Sequence, residues 1–305
     1  MTASWSGSES AANFVNAPVR ELAWAIAAPL MLRGNDPALW PDADWCRTQE
    51  RRTHAWLQAL DREPDPLQQF LSDENDRRLG ARFERLIEFW LSHSEDYELL
   101  HRRLQCHNDG RTVGEFDFLV ANKLTGETEH WEIASKFYLG VAQPVARHQL
   151  EWVGPGKRDR LLRKEQHLVH QQATLGQTPA AVRLLKGLGI RLDRVRTIVK
   201  GRLFYPLDFD GPSSGSDLLT DDHERGTWCT LSAARAIHPS EWVFKPKASW
   251  LEPPAARLGD DQHAGDFCAA VAPAGQRPVC VDVRRGAAYT ERLMVVADDW
   301  VDDLI

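Results

Sequence analysis

Gly114-Glu-Phe-Asp-Phe-Leu-Val120 and, a short way on, His130-Trp-Glu-Ile-Ala-Ser-Lys136 are the stretches on which the reading of this chain turns. Each alternates apolar and polar residues with period two, the pattern of a half-buried strand. Asn122-Lys-Leu-Thr-Gly-Glu-Thr128 between them reads as a turn, so the two form a β-hairpin. Alternation places Glu115 and Asp117 on one face of the first strand, with Phe116, Phe118 and Val120 on the other. On the second strand Glu132, Ala134 and Lys136 share a face, opposite Trp131, Ile133 and Phe137. Strands carry few charges, so three carboxylates and a lysine gathered on one hairpin require a reason. A divalent metal beside a lysine that handles water or phosphate supplies one. The plainer reading is a salt bridge from Lys136 to Asp117 or Glu132 on a solvated sheet face.

Outward from the hairpin, Leu79–His93 is patterned as an amphipathic helix with a stripe of Leu79, Phe83, Leu86, Ile87 and Trp90. Glu84 sits at the edge of that stripe, where it can reach over the sheet, and Glu88 lies further round. Residues 97–104 suit a strand, with helix as the alternative. A helix is predicted from about Lys157 to Leu175, another over 181–188, and a buried strand over 194–205. Residues 17–71 read as helical with interruptions at proline. Residues 206–226 are acidic and rich in Gly, Pro and Ser, and the chain beyond them is rich in strands, for example 278–284 and 291–297. The organisation expected is an N-terminal helical arm (1–75), a core (76–205), and a linker with a β-rich C-terminal extension (206–305). The order helix, strand, strand, strand, helix, strand over 79–205 predicts an α/β core with one mixed sheet.

The chain has 305 residues, 43% hydrophobic and 27% charged, ordinary for a globular protein. No segment approaches the ~18 apolar residues of a membrane span. The longest apolar run, Leu22–Leu32, contains Pro29 and has no basic residue before Arg20, which fits neither a span nor a secretion signal. No membrane association and a cytoplasmic location are therefore expected. Five cysteines, odd in number and without a CxxC pair, speak against a zinc site or a disulfide framework. The net charge is −7, yet residues 143–202 hold 13 Lys/Arg against 4 Asp/Glu, while the segments on either side each carry −8. A basic middle of this kind can present one positive face to nucleic acid.

The order of elements, the Asp of the second strand and the acid and Lys of the third resemble the PD-(D/E)XK nuclease superfamily. Leu79-Gly80, Phe83-Glu84, Phe89-Trp90-Leu91, Gly114–Leu119 and Trp131–Leu139 also resemble a bacterial family, domain of unknown function 1853, itself placed in that superfamily. The resemblance implies a restriction-endonuclease-like αβββαβ core and a metal-dependent nuclease acting on DNA or RNA. It carries the roles of metal ligand and catalytic residue to Asp117, Glu132 and Glu84, with Glu88 as substitute for Glu84, and that of catalytic lysine to Lys136. The cofactor implied is Mg²⁺ or Mn²⁺. One departure stands out. The superfamily spaces its third-strand acid two residues before the lysine, whereas Glu132 lies four before Lys136, ~13 Å along a strand instead of ~6.6 Å.

The predicted helix after Gly154-Pro-Gly156 adds Glu165 and Gln166 as supporting residues, because some nucleases of the superfamily use a Gln on the equivalent helix. An internal ion pair such as Arg158–Glu165 is the plainer alternative. Lys157, Arg158, Arg160, Arg163 and Lys164 cluster at its start, where basic side chains and a helix N-terminus both attract phosphate. Arg191, Arg194, Arg196, Lys200 and Arg202 would extend the patch if the fold brings them together. Two other functions compete: a catalytically degenerate nuclease fold that only binds nucleic acid or a protein, and a protein-interaction module using tryptophans such as Trp242, Trp250 and Trp300.

Overall fold

In the computed structural model the first apolar run becomes helix α1 (Ala17–Ala27), with Pro18 in its first turn. It stops because Ala28 precedes Pro29 and is held extended. Helix α2 (Ala43–Arg62) is capped by Asp42, which accepts the Trp45 N–H at 2.9 Å. Helices α3 (Asp65–Ser72) and α4 (Leu79–His93) follow the Glu63-Pro64 break. The structure describes residues 10–304 apart from 35, 37–38, 74–75, 77, 143–148, 162–173, 212–217, 238, 240, 255–265 and 285–289.

The expected hairpin forms and is longer than its alternating stretches. Strand β1 (Tyr97–Asn108) precedes β2 (Arg111–Asn122) and β3 (Glu127–Ala142). At the turn Asn122 Oδ1 accepts the N–H groups of Leu124 and Thr125, and Gly126 takes the positive φ of 73° that the reversal needs. Then come β4 (Leu150–Val153), α5 (Pro179–Gly187), β5 (Arg194–Pro206), β6 (Glu224–Thr230), α6 (Leu231–Arg235), β7 (Glu241–Lys245), α7 (Phe267–Val271), β8 (Val279–Arg284) and β9 (Thr290–Val296). The fold is mixed α/β. One nine-stranded sheet runs β1-β2-β3-β5-β6-β9-β8-β7, with β4 added to β3. The centre, β3-β5-β6-β9, is parallel and both flanks are antiparallel. The four strands after residue 206 thus continue the same sheet.

Helices α1, α2 and α4 cover one face. Phe83, Leu86 and Trp90 pack there on Phe118, Ile133, Leu139, Ile198 and Phe204. Trp131, fully buried, is ringed by Trp45, Trp90 and Tyr97 at centroid distances of 5.1 to 5.7 Å. Truncating such a side chain costs roughly 3–5 kcal/mol. On the other face α5 covers Phe116 and Leu119, and Met31, Leu32, Leu39 and Trp40 lie against Tyr138, Val199 and Leu203.

Three expectations are corrected here. Phe116 does not share a face with Phe118 and Val120; it packs with Leu119 in the opposite cluster. The pairing of β1 with β2 is distorted there: Arg103, between the pairs Arg102↔Phe118 and Leu104↔Phe116, has φ of 51°. The simple alternation therefore breaks at Asp117. Second, the helix expected from Lys157 does not begin there. Gly154 N–H bonds to Asp159 O (2.9 Å), Lys157 N–H to Gly154 O (2.8 Å), and Lys157 has φ of 64°, so 154–159 closes into a loop. Third, the basic residues of β5 do not make a surface. Arg194 pairs with Glu127, Arg196 with Glu129, and Arg202 with Glu224, while the Lys200 ammonium donates to Ile26 O at 2.7 Å. β5 is an internal strand, so its charges need internal partners.

Candidate active site on the β2–β3 edge

The pairing of β2 with β3 runs from Asn122↔Glu127 to Phe118↔Trp131 and ends there. Strand β4 joins β3 only from Leu139 to Ala142. Leu139 pairs with both Val153 of β4 and Phe204 of β5, so β4 lies on the edge opposite β5, which is the edge β2 occupies earlier. Between these two partners, residues 132–138 of β3 face no described strand on that edge. The stretch contains Glu132 and Lys136. Asp117, the next residue of β2 after the last pair, closes its start: Asp117 Oδ2 accepts the Ile133 N–H at 3.0 Å. A side chain thus takes the place of the ladder where the sheet opens.

Glu132 is 3% exposed, with Oε2 at 3.9 Å from Nε2 of the fully buried His130. Burial pushes the His130 imidazole down to about 3, so it is neutral at ordinary pH. Its ring stands edge-on to Phe116 at 4.8 Å. Lys136 is partly exposed and pairs with Asp159 at 2.5 Å. Behind it Gly201 of β5 stands opposite Lys136 in the parallel register, with φ of 146°; a Cβ there would fall 1.6 Å from Lys136 O. Only glycine fits.

The remaining expected residues lie elsewhere or are engaged. Glu84 bonds to Arg103 at 2.6 Å and sits 3.7 Å from Arg102, and Glu88 pairs with Arg85 (2.7 Å) and Arg102 (3.1 Å). The helix carrying both covers the Trp131/Ile133 face of β3, whereas Glu132 alternates to the other face. Glu115 is half-buried opposite Gln105. Arg160 pairs with Glu151 at 2.9 Å, Lys157 is half-buried and Arg158 is exposed. Arg163, Lys164, Glu165 and Gln166 lie outside the described residues. Among the described residues no group of three or more His, Cys, Asp or Glu is placed to hold a metal ion.

Lys136 opens into a cleft of about 690 Å³ that the hairpin did not foretell. Its far wall comes from β7, the Pro246–Trp250 segment and the start of β8, and carries Phe244, Lys247, Trp250 and Arg277. Asp159 and Arg158 form the near rim. The Lys245-Pro-Lys247 spacing after an exposed Phe was the one local signal in the sequence for this wall.

The match with known families extends across nearly all of these elements, covering residues 20–296. The chain belongs to the family described as Domain of unknown function (DUF1853). The match takes in the whole hairpin, the cleft and the C-terminal strands up to β9. No curated protein and no solved structure matches this DUF1853 chain. No described helix is long and apolar enough to cross a membrane.

Proposed function

We propose that this DUF1853 chain is a metal-dependent phosphodiesterase of the PD-(D/E)XK type, with a restriction-endonuclease-like core, acting on DNA or RNA. The observation that carries the reading is the open edge of β3 at 132–138, with Asp117 at its start and Lys136 within it. Charged side chains on a strand cost stability unless paired or used; here they collect where the sheet leaves room for a ligand.

The donor set fits Mg²⁺ or Mn²⁺: such ions take hard carboxylate oxygens from one or two residues and keep several waters. Asp117 and Glu132, flanking the point where β2 and β3 part, would supply those oxygens. When bound, the ion supplies acidification of a water and neutralisation of phosphate charge. The chain's own part is positional. Asp117 is fixed by Ile133 N–H, Gly201 sets β3 from behind, and the Lys136 ammonium is aimed at the cleft, where it would donate to a phosphate oxygen as negative charge builds.

A second reading, a catalytically degenerate fold that binds nucleic acid or protein, is favoured by one observation: Lys136 is already ion-paired to Asp159. The deciding experiment incubates labelled single- and double-stranded DNA and RNA with the protein in Mg²⁺, Mn²⁺ or EDTA, beside Asp117→Ala and Lys136→Ala. Cleavage that needs metal and vanishes in both variants supports the nuclease. Failure to cleave any substrate, with the variants binding as the parent does, leaves the binding module.

A further inference from the structure

We infer that the cleft between β3 and the β7–β8 wall is a single-strand nucleic-acid channel, in which the C-terminal strands hold the substrate that the β3 edge acts upon. The inference deepens the nuclease reading, since it takes Lys136 as the phosphate-facing group at the channel floor.

The first argument is charge. The chain as a whole is −7, yet the cleft is lined by Lys136, Arg158, Lys245, Lys247 and Arg277 against Asp159 as its one acid. Lys245 is turned inward to Glu252 at 3.3 Å and Asp282 at 3.9 Å, which explains its place as a structural group. Arg158, Lys247 and Arg277 are exposed and have no carboxylate partner among the described residues. Three solvated cations, two from the C-terminal wall and one from the loop after β4, form a local positive field on an acidic protein, the electrostatic footprint of a phosphate backbone.

The second argument is shape and chemistry. Phe244 is 44% exposed on this wall, one of only a few large apolar side chains left in solvent among the described residues. Trp250 lines the same cleft and packs edge-on to Phe137 at 5.6 Å, which ties the C-terminal wall to β3. An exposed ring flanked by cations is the arrangement on which unpaired bases stack, at about 1–3 kcal/mol per base. A cleft of about 690 Å³ is the size that encloses a ligand of drug-like dimensions. A nucleotide or two of a single strand is a ligand of that size, whereas the bases of a duplex are closed to stacking on Phe244.

The test separates binding from cleavage by using the full-length Asp117→Ala protein in EDTA. Fluorescence anisotropy is read with labelled single-stranded DNA, single-stranded RNA and duplex DNA, across a salt series. The variants added to this background are Lys247→Ala with Arg277→Ala, Phe244→Ala, and Arg51→Ala on α2 as a basic control remote from the cleft. The Lys247/Arg277 pair is expected to weaken single-strand binding at least about tenfold and to lower the salt slope by about two. Phe244→Ala should weaken single strands without changing the salt slope, and Arg51→Ala should change neither. All four side chains are exposed, and thermal melts confirm that the variants fold. The inference is overturned if duplex binds more tightly than single strands, if the cleft variants bind as their parent does, or if polyglutamate competes as well as an oligonucleotide. Tight single-strand binding that depends on Lys247, Arg277 and Phe244, in a protein that cleaves nothing with metal, sinks the nuclease reading and leaves the channel standing. Cleavage indifferent to the three residues does the reverse.

Discussion

Two parts of the same sheet carry charged strands and treat them in opposite ways. On β8 and β9, Arg292 and Asp282 are completely buried and fully matched. Arg292 Nε and Nη2 take both carboxylate oxygens of Asp282, at 2.7 and 3.0 Å, and the remaining N–H groups reach the carbonyls of Trp250, Glu252 and Pro253. On β3, Lys136 has three donors, is partly exposed, and its described partner is a single carboxylate, Asp159, itself well exposed. The difference teaches how to sort charges on strands. A saturated pair serves the fold, because every polar atom has its partner and nothing can be added. A charge with spare donors at an opening in the ladder has room for a ligand, which is the role proposed for Lys136.

Several measurements can break that contrast. The largest effect is expected for Asp282→Ala, which strands Arg292 in the interior. The loss should be about 3–5 kcal/mol, seen as a fall in the urea midpoint with an unchanged slope. A loss below about 1 kcal/mol would show that the C-terminal pair is not saturated in the sense argued here.

On the other side, Asp117→Ala should lower metal-dependent cleavage by at least about a hundredfold, the equivalent of a few kcal/mol in the barrier. Its stability cost should stay within about 1–3 kcal/mol, the range for a buried N–H that loses its acceptor, here that of Ile133. Unchanged cleavage with reduced stability would move Asp117 into the structural class.

An intermediate effect is expected from Glu21, buried against Arg82 at 2.6 Å and pushed up by burial from 4.5 to about 7. Between these values the folded chain keeps a proton that the unfolded chain has released. Stability should therefore fall as pH rises through that window, by at most about 1.4 kcal/mol per pH unit. Glu21→Gln should flatten this dependence in urea titrations at a series of pH values, and an unchanged slope would show that Arg82 keeps Glu21 ionised.

The smallest effect is expected for Lys136→Ala on stability, about 0–1 kcal/mol, because its ion pair is partly solvated. A larger thermal shift would mean that Lys136 holds the loop at 154–159 in place and is structural after all.

Much of this architecture was legible in residue order. Period-two alternation around Asp117 and Lys136 marked β2 and β3, and the Phe83/Leu86/Ile87/Trp90 stripe marked α4, because each element buries one face and the burial period is its own. What escaped is what period cannot encode. The break at Asp117 falls opposite Arg103, whose φ of 51° on the neighbouring strand leaves no trace in the apolar alternation of either strand. Counting Arg194, Arg196, Lys200 and Arg202 showed a basic block, but only strand order reveals that β5 is internal and that each finds a partner on a neighbouring element. Arg158 belonged to an expected basic cluster, but nothing in residue order joined it to Lys247 and Arg277, since their convergence depends on a sheet that carries β7 and β8 round to β3.

Gly201 gives the site a dependence of another kind. It has no functional group and no contact with any reacting atom, yet the backbone of β3 at Lys136 leaves no room for even a methyl group beside it. Drift in this lineage is therefore constrained at a chemically silent position. Any descendant that gains a side chain at 201 must first move the strand bearing Lys136, and would displace the proposed site with every charged residue still in place.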